Sequence, residues 1–305
     1  MTKVFIDGSA GTTGLRIFER LSSRTDIELM TLSGELRKDL NARKECLNKA
    51  DIAFLCLPDK AAVEAISLLE NDHTAVIDTS TAHRVNDAWA YGFPELSAAH
   101  RQAIKESKRI ANPGCHASGF ISTVCPLVAQ GVIPADFPLT AYSLTGYSGG
   151  GKSLIAEYED ENRDPRHDSH RIYATGLAHK HLPEMQKLCG LKYQPVFSPI
   201  LGDFYSGMAT SVLLPGFDAN KVWQCLADHY AGEKIVTVAP FGGDEALVYA
   251  ATLSGKDTMR IQVSGHSEQA MVTAIFDNLG KGASGAAIQN MNILLGVDET
   301  TGLNV

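Results

Sequence analysis

The stretch KVFIDGSAGTTG, residues 3–14, joins a short apolar strand to a glycine-rich turn and the start of a helix. Gly8 suits a tight turn, Gly11 lets backbone N–H groups approach a pyrophosphate, and Gly14 lets the helix pack close to the strand. The spacing is GxxGxxG and departs from the more common GxGxxG. Because the turn lies between a strand and a helix, we predict a dinucleotide site there. Its predicted ligands are Gly8, Gly11, Thr12, Thr13 and Gly14.

Strand and helix signals alternate through the first third of the chain. The run IAFLCLP at 52–58 is continuously apolar, which is typical of a parallel strand buried on both faces. The alternation predicts a doubly wound α/β sheet. Strands are predicted at 3–7, 27–32, 52–58 and 75–78, and helices at about 12–22, 39–49 and 60–70.

Beyond about residue 115 most predicted strands follow one another without helices between them. This pattern predicts an α+β domain on a mixed or largely antiparallel sheet. Strands are predicted at 139–145, 196–201, 208–214, 235–239, 247–253, 259–264 and 271–276. Helices are predicted at about 116–130, 218–230 and 283–295.

Composition narrows the function classes. The 305 residues carry a formal net charge of -8, which argues against a nucleic-acid or anionic-membrane partner. No apolar run approaches the ~20 residues that span a bilayer, and a strand begins at once, so we expect neither a membrane segment nor a signal peptide. The six cysteines have no metal-like spacing, and we expect free thiols in a reducing cytoplasm.

The end of the second predicted strand bears on the choice of coenzyme. An acidic residue at this point would bind the ribose of NAD, but the chain has Ser33 there. The closest acid is Glu35, just beyond, and it is followed by Arg37 and Lys38. Ser33, Arg37 and Lys38 could hold the 2′-phosphate of NADP. A solvated charged turn is the alternative interpretation.

Cys115 is the predicted nucleophile. It follows the turn Asn112-Pro113-Gly114 and precedes an apolar helix, so it lies at a helix N-terminus, where the dipole favours a thiolate. A thiolate there can attack an acyl phosphate. The alternative for a lone cysteine is an inert core position, which suits Cys56 in its apolar strand.

The segment AHKHLPE at 178–184 supplies candidate acid–base residues. If it is extended, His179 and His181 point to one side, and Pro183 favours an extended lead-in. Glu184 could orient an imidazole or contact substrate. A metal site lacks further ligands at suitable spacing, and we predict none. Surface histidines are the remaining interpretation.

Two further polar segments are candidate substrate contacts. IDTSTAHR at 77–84 follows a strand, so Ser80 and Arg84 should lie at the carboxyl edge of the sheet, where Arg84 could clamp a phosphate. The loop TGYSGGGKS at 145–153 lacks the order of an ATP-binding loop. We expect Ser148 and Gly149 to face the substrate, and a surface loop is the alternative.

These segments together resemble one family along nearly the whole chain. The chain is similar to the short-form N-acetyl-γ-glutamyl-phosphate reductases of arginine biosynthesis. The resemblance rests on GSAGTTG (8–14), CLPDKAAVEA (56–65), IDTSTAHR (77–84), GFPEL (92–96), NPGCHASG (112–119), TGYSGGGKS (145–153), HKHLPE (179–184), SPILGDFYSGM (198–208) and DNLGKGASGAAIQN (277–290).

The resemblance implies a fold shared with the aspartate-semialdehyde and glyceraldehyde-phosphate dehydrogenases. It implies an α/β Rossmann N-terminal domain that binds NADP, residues 1–114, to which a helix at about 283–305 returns. An α+β catalytic and oligomerisation domain, residues 115–282, would follow and would form a homodimer or homotetramer. The coenzyme contacts that the resemblance adds are Asn278, Gly280 and Lys281.

The implied reaction starts with attack of Cys115 on the γ-acyl phosphate, which releases inorganic phosphate and forms a thioester. NADPH then reduces the thioester to N-acetylglutamate 5-semialdehyde. A histidine of HKHLPE would be the acid–base; we favour His181 over His179, and Arg84 would hold the leaving phosphate.

Two other functions stay open from the sequence. Arg260 and His266 faintly resemble the motif of aspartate-semialdehyde dehydrogenases, which would keep the chemistry and change the substrate; we expect His266 to be a turn residue. A non-catalytic dinucleotide sensor would have lost the nucleophile or the glycine loop, and both are intact.

Overall fold

The computed structural model describes residues 1–242 and 247–305. The chain forms two compact units. The first comprises Met1–Pro113 and Ala283–Leu303, and the second comprises Gly114–Gly282 and Asn304–Val305.

The first unit is built on a sheet in which every neighbouring pair of strands is parallel. The strand order is β2-β1-β3-β4-β6-β5, so the chain changes direction across the sheet beside β1. Ligands bind at such a switch point in open α/β sheets, and the glycine-rich turn follows β1. The strands are β1 (Thr2–Asp7), β2 (Ile27–Met30), β3 (Ile52–Leu55), β4 (Ala75–Asp78), β5 (Ala90–Tyr91) and β6 (Arg109–Ala111).

The second unit is built on a mixed sheet with the order β11-β12-β13-β10-β7-β9-β8. The pairs β11–β12 and β7–β9 are parallel, and the other neighbours are antiparallel. The strands are β7 (Thr140–Gly146), β8 (Arg171–Ile172), β9 (Val196–Gly202), β10 (Met208–Pro215), β11 (Val236–Val238), β12 (Met259–His266) and β13 (Gln269–Phe276).

The helices cover these sheets. The α-helices are α1 (Thr12–Leu21), α2 (Leu40–Lys49), α3 (Asp59–Ser67), α4 (Ala98–Glu106), α5 (Cys115–Ala129), α6 (Gly151–Glu159), α7 (Leu182–Leu188), α8 (Ala219–His229) and α9 (Gly285–Leu295). Short 3₁₀ turns lie at Gly34–Lys38, Pro94–Leu96, Tyr147–Gly150 and Pro165–Asp168, and a π turn at Gly280–Ser284. Among the described residues, no helix is both long and apolar enough to cross a membrane.

Successive side chains of β1 point to opposite faces of the first sheet, and each face is covered by helices. Val4 and Ile6 point into one apolar cluster, together with side chains of α1, α4 and α9. Phe5 points into a second cluster, with side chains of α2 and α3. Two fully buried faces require an apolar residue at every position, which is the pattern of β3.

Helix α5 packs directly on the second sheet. A Cβ added at Gly119 would overlap the Thr210 side chain on β10, so this glycine lets helix and sheet approach closely. The Tyr230 hydroxyl, just after α8, donates a hydrogen bond to the Ser122 carbonyl of α5 at 2.7 Å. The α/β and mixed-sheet α+β fold classes that the sequence predicts are confirmed.

The predicted strand at 247–253 was wrong, and three helices were missed. Leu247 and Tyr249 are 65% exposed, and Thr252 bonds back to the Tyr249 carbonyl, so this part of the chain forms turns. Helices α4, α6 and α7 were not predicted. Pro183 lies in the first turn of α7, where a missing N–H costs nothing, and so it starts a helix instead of extending the chain.

The expectation of free thiols was wrong for two of the six cysteines. Cys125 of α5 and Cys189, at the end of α7, form a disulfide across a sequence separation of 64 residues. Their Cα atoms are 4.4 Å apart because α5 and α7 pack against each other. Spacing along the sequence gives no sign of this pairing.

Candidate active site

Cys115 is the first residue of α5. Gly114 is the N-cap, and as a glycine it has no side chain that could cap the helix start. The partly buried sulfur therefore lies among backbone N–H groups that have no intrahelical partner, at the positive end of the helix dipole. That position favours the thiolate over the thiol.

The other titratable cysteines are in the opposite situation. Burial raises the pKa of Cys56 to about 12. Burial also raises the pKa values of Cys46 and Cys225 above their ordinary value. These thiols stay protonated at neutral pH, which makes them poor nucleophiles.

The backbone of the π turn lies against the nucleophile. A Cβ added at Gly282 would lie 3.0 Å from the Cβ of Cys115. A side chain at position 282 would therefore crowd the sulfur-bearing residue from one side. The glycine keeps this approach open.

Three imidazoles form one cluster in the second unit. The rings of His179 and His181 have centroids 4.7 Å apart, and the His116 ring lies 5.2 Å from His179 and 5.8 Å from His181. His181 is the N-cap residue of α7 and is 5% exposed. The two HKHLPE histidines thus come together through a tight turn before the helix, and the extended conformation expected for this segment was wrong.

His116, the residue after Cys115, belongs to a buried polar network. Its Nδ1 is hydrogen-bonded to Ser143 Oγ at 2.8 Å, and Ser143 Oγ to Thr210 Oγ1 at 2.8 Å. Its Nε2 is hydrogen-bonded to the Tyr173 hydroxyl at 2.6 Å. Burial, and then the charges of His179 and Lys180, lower the pKa of His116 to about 3, so the ring is neutral at physiological pH.

His179 is also held neutral. Its Nδ1 accepts a hydrogen bond from the backbone N–H of His181 at 3.2 Å, which requires an unprotonated Nδ1. Burial, followed by the charge of Lys180, lowers the pKa of His179 to about 4. A ring of such low basicity is a poor acceptor for a proton at neutral pH.

Tyr173 was not predicted as a site residue. Burial, and after it the charge of Cys115, raise the pKa of Tyr173 above its ordinary value, so the hydroxyl stays protonated near the nucleophile. Its neighbour Ser143 was missed as well. Neither lies in a glycine-rich turn or a histidine motif, and Ser143 reaches His116 only because α5 packs on the sheet that contains β7.

The loop between Tyr173 and His179 is strained. Ala174 and Leu177 have φ angles of 50° and 52°, a left-handed region that is unfavourable for residues with a Cβ. Strain of this kind persists only where the surrounding structure imposes it, and it often lies at functional sites. Here the strained residues lie within the loop that connects Tyr173 to His179 of the imidazole cluster.

Glu184 links the starts of the two site helices. It is 2% exposed, and its Oε2 accepts a hydrogen bond from the Gly114 N–H at 3.3 Å. The carboxylate on α7 therefore contacts the backbone immediately before Cys115 on α5. Among the residues that the structure describes, no group of His, Cys, Asp and Glu side chains could hold a metal ion.

The glycine-rich turn of the first unit has the geometry of a phosphate cradle. Gly8 has a φ of 88°, and a Cβ there would overlap the Cys56 carbonyl. A Cβ at Gly14 would overlap the Gly8 carbonyl. Gly11 is the uncapped N-cap of α1, and Thr12 Oγ1 is buried without a hydrogen-bond partner. Thr13 is partly buried beside it.

Of the predicted 2′-phosphate contacts, Arg37 and Lys38 lie in the 3₁₀ turn Gly34–Lys38 and Ser33 directly precedes it. Ser33, Arg37 and Lys38 are all exposed. Arg37 Nε donates to the Gly34 carbonyl at 3.1 Å, which folds its side chain over the turn.

Ser80 and Arg84 are buried in the first unit. Ser80 Oγ donates to Asp78 Oδ2 at 2.7 Å. Arg84 donates from Nε to the Asn112 carbonyl and from Nη2 to the Thr79 carbonyl, both at 2.9 Å. These two guanidinium nitrogens support the backbone that precedes the nucleophile.

The remaining predicted residues lie in the second unit. Asn278 bridges two segments, because its Oδ1 accepts from the Gly207 N–H and its Nδ2 donates to Ser148 Oγ. Gly149 lies beside the same carboxamide, and a Cβ there would lie 3.2 Å from Asn278 Nδ2. Gly280 and the buried Lys281 belong to the π turn. His266 is exposed, but it is the last residue of β12 and pairs with Gln269 of β13, so it lies just before the turn and not in it as expected.

Family models match most of the chain. The model described as "Semialdehyde dehydrogenase, NAD binding domain" matches residues 3–106. The model described as "Semialdehyde dehydrogenase, dimerisation domain" matches residues 115–278.

Individual proteins are similar over nearly the full length. The chain is 42% identical to N-acetyl-gamma-glutamyl-phosphate reductase 2 of a Nostoc species, over 99% of both chains. It is 47% identical to N-acetyl-gamma-glutamyl-phosphate reductase of a Chelativorans species, over 96% of this chain and 98% of that one.

Solved structures share the fold at much lower identity. Aspartate semialdehyde dehydrogenase from Francisella tularensis has a TM-score of 0.73 at 14% identity, over 97% of this chain and all of that one. The enzyme of that name from Candida albicans, solved with NADP, has a TM-score of 0.70 at 16% identity, over 97% and 98% of the two chains.

Proposed function

We propose that this chain, which belongs to the N-acetyl-γ-glutamyl-phosphate reductase family, reduces N-acetyl-γ-glutamyl phosphate to N-acetyl-L-glutamate 5-semialdehyde and inorganic phosphate with NADPH. The structural neighbours named aspartate semialdehyde dehydrogenase are too distant in sequence to indicate a substrate. The observation that carries the proposal is Cys115 as the first residue of α5, followed directly by His116 of the buried imidazole cluster.

The chemistry that this site supports is acyl transfer to sulfur followed by reduction. The Cys115 thiolate attacks the acyl carbon, the carbon–oxygen bond to phosphate breaks, and phosphate leaves with the bonding electrons. The product is a thioester on Cys115. When bound, NADPH supplies a hydride to the thioester carbon. The thiohemiacetal then loses its hydroxyl proton and releases aldehyde, and Cys115 returns to the thiolate.

We assign the acid–base role to His181. Of the three imidazoles in the cluster, His116 and His179 have pKa values lowered to about 3 and about 4, so neither takes up a proton near neutral pH. His179 also uses Nδ1 to accept the His181 backbone N–H. His181 would donate a proton to the oxyanion that forms on hydride transfer and take it back when the aldehyde leaves. Glu184 and Tyr173 act as positioning residues, through Gly114 and His116 respectively.

The first unit fits the coenzyme at the glycine-rich turn. The absence of side chains at Gly8, Gly11 and Gly14 leaves the start of α1 open to a pyrophosphate. Thr12 Oγ1 is a buried hydroxyl in need of a partner, and a phosphate oxygen would satisfy it. These residues, with Thr13, would hold the pyrophosphate, and Asn278, Gly280 and Lys281 stay predicted contacts of the nicotinamide end.

The exposed turn after β2 supports NADP over NAD. Ser33, Arg37 and Lys38 offer a hydroxyl and two cations, against the one carboxylate of Glu35 in the same 3₁₀ turn. Cations suit a 2′-phosphate, whereas a carboxylate would repel it. We assign these three residues to the 2′-phosphate.

Substrate contacts and assembly complete the proposal. Ser148, Gly149 and Ser80 stay predicted substrate contacts. Arg84 stays a prediction for the leaving phosphate, although two of its nitrogens already donate to backbone carbonyls. Residues 1–114 with the C-terminal helix would be the coenzyme domain and residues 115–282 the catalytic domain.

Assembly is proposed from the second unit. Its sheet has α5 and α8 packed against β10, β12 and β13, and the matching family model is described as a dimerisation domain. We therefore propose that the protein forms a homo-oligomer, either a dimer or a tetramer. Our proposal for its location is the cytoplasm.

The substrate is tested with the reverse reaction. Purified protein should oxidise N-acetylglutamate semialdehyde in the presence of NADP⁺ and phosphate. Aspartate semialdehyde should react at least about 10²-fold more slowly in kcat/KM, because it lacks the acetamido group and one methylene that the site must accommodate. Equal rates, or faster oxidation of aspartate semialdehyde, would reject the substrate assignment.

The coenzyme assignment is tested by charge removal. Arg37→Ala combined with Lys38→Ala should lower the preference for NADPH over NADH, measured as a ratio of kcat/KM values, by about tenfold or more. Lys49→Ala, which removes an exposed cation of α2 in the same unit, is the matched control and should leave the ratio unchanged. An unchanged ratio in the double variant would show that the 2′-phosphate is bound elsewhere.

The roles of His179 and His181 are distinguished by the kcat values and pH profiles of variants at each position. His181→Asn should lower kcat by about 10²- to 10⁴-fold. His179→Asn should lose far less, and its pH profile between pH 5 and 8 should keep the wild-type shape, because His179, with a pKa of about 4, is already neutral throughout that range. A greater loss at His179 than at His181 would reverse the assignment.

A further inference from the structure

The disulfide Cys125–Cys189 joins the two helices that carry the active site. Cys125 lies on α5, ten residues after Cys115, which is about 15 Å along the helix. Cys189 is the C-cap of α7, the helix whose N-cap is His181. The same pair of helices also meets at the other end, where Gly114 N–H donates to Glu184.

The two contacts therefore fix the helix pair at two points. At the N-terminal ends, a hydrogen bond and the imidazole cluster align α7 with Cys115. At the far ends, the covalent bond limits how far α7 can slide or tilt on α5. Positions of reacting groups matter strongly here, since a displacement of about 1 Å can cost about 10²-fold in rate.

We propose that Cys125 and Cys189 form a reversible thiol–disulfide site whose state sets the reactivity of Cys115 and the activity of the enzyme. The reaction partner is a low-molecular-weight thiol and its disulfide. The proposal rests on the proposed function only where reductase activity is the readout. Disulfides that occur in reducing compartments are usually transient or redox-sensing, which agrees with a regulatory use of this bond.

The exchange reaction balances with such a partner. Cys189 is 5% exposed, whereas Cys125 is partly exposed, so an incoming thiolate attacks the Cys125 sulfur. The sulfur–sulfur bond breaks, and Cys189 leaves as a thiolate that takes up a proton. A second thiol then attacks the mixed disulfide, which releases the Cys125 thiol and one molecule of the small disulfide. The reverse sequence forms the bond.

The test uses the full-length enzyme equilibrated in mixtures of reduced and oxidised glutathione. After quenching and alkylation, mass spectrometry measures the fraction of cross-linked Cys125–Cys189 peptide and the modification of Cys115 in each sample. Samples with Cys115 unmodified are then assayed. We expect kcat/KM to be roughly tenfold higher in the cross-linked form and to follow the cross-linked fraction.

A second readout needs no substrate. The rate and pH dependence of Cys115 alkylation by iodoacetamide should differ between the cross-linked and reduced wild-type protein. A bond that served stability alone would leave this profile unchanged. If the alkylation profile follows the cross-link but no reductase activity is found, the thiol–disulfide site stands and the proposed function falls.

Matched variants identify the cysteines. Cys125→Ala and Cys189→Ala should each lose the response and resemble the reduced wild type. Cys225→Ala should respond like wild type, although its sulfur lies 4.0 Å from the Pro126 carbonyl of the same helix α5. The proposal is overturned if no cross-link forms in any mixture, or if kcat/KM and Cys115 alkylation are the same in the cross-linked and reduced protein. It is also overturned if Cys125→Ala keeps the response.

Discussion

The chemistry proposed for this site depends on the position of Cys115 at the start of α5. A nucleophilic sulfur must be both ionised and accessible, and these demands usually conflict, because burial favours the neutral thiol, as Cys56 illustrates. The first turn of a helix resolves the conflict by offering backbone N–H groups and a positive dipole end to a partly buried residue. Cys115 has this position as the first residue of α5, directly after the N-cap Gly114, which has no side chain of its own.

The surroundings of Cys115 then keep neighbouring groups in fixed protonation states. His116 and His179 are neutral because burial opposes their charge, and the hydrogen bonds of Ser143, Tyr173 and the His181 backbone hold their orientations. In this neutral form neither His116 nor His179 acts as an acid toward a thiolate at Cys115. We assign the proton that the proposed reduction needs to His181, because His116 and His179 have low basicity.

The features of the site that depend on local structure could be predicted from the sequence. The strand–glycine–helix order at residues 3–14 and the Asn-Pro-Gly turn before Cys115 each set a helix start within a few residues, and both helices begin where the pattern placed them. Tyr173, Ser143 and the Cys125–Cys189 pair could not be found in this way, because sheet register and helix packing bring together residues far apart in the chain. The conformation predicted for residues 178–184 was wrong for a different reason. A proline suits both an extended segment before a helix and the first turn of the helix itself.

The most direct measurement is the intact mass of the enzyme after mixing with acyl phosphate in the absence of NADPH. The wild-type protein should gain the mass of one N-acetylglutamyl group on the peptide that contains Cys115, and addition of NADPH should remove it as the aldehyde forms. Cys115→Ser should acquire no such adduct while still binding NADPH. An adduct on another residue, or reductase turnover in the Cys115→Ser variant, would contradict the account.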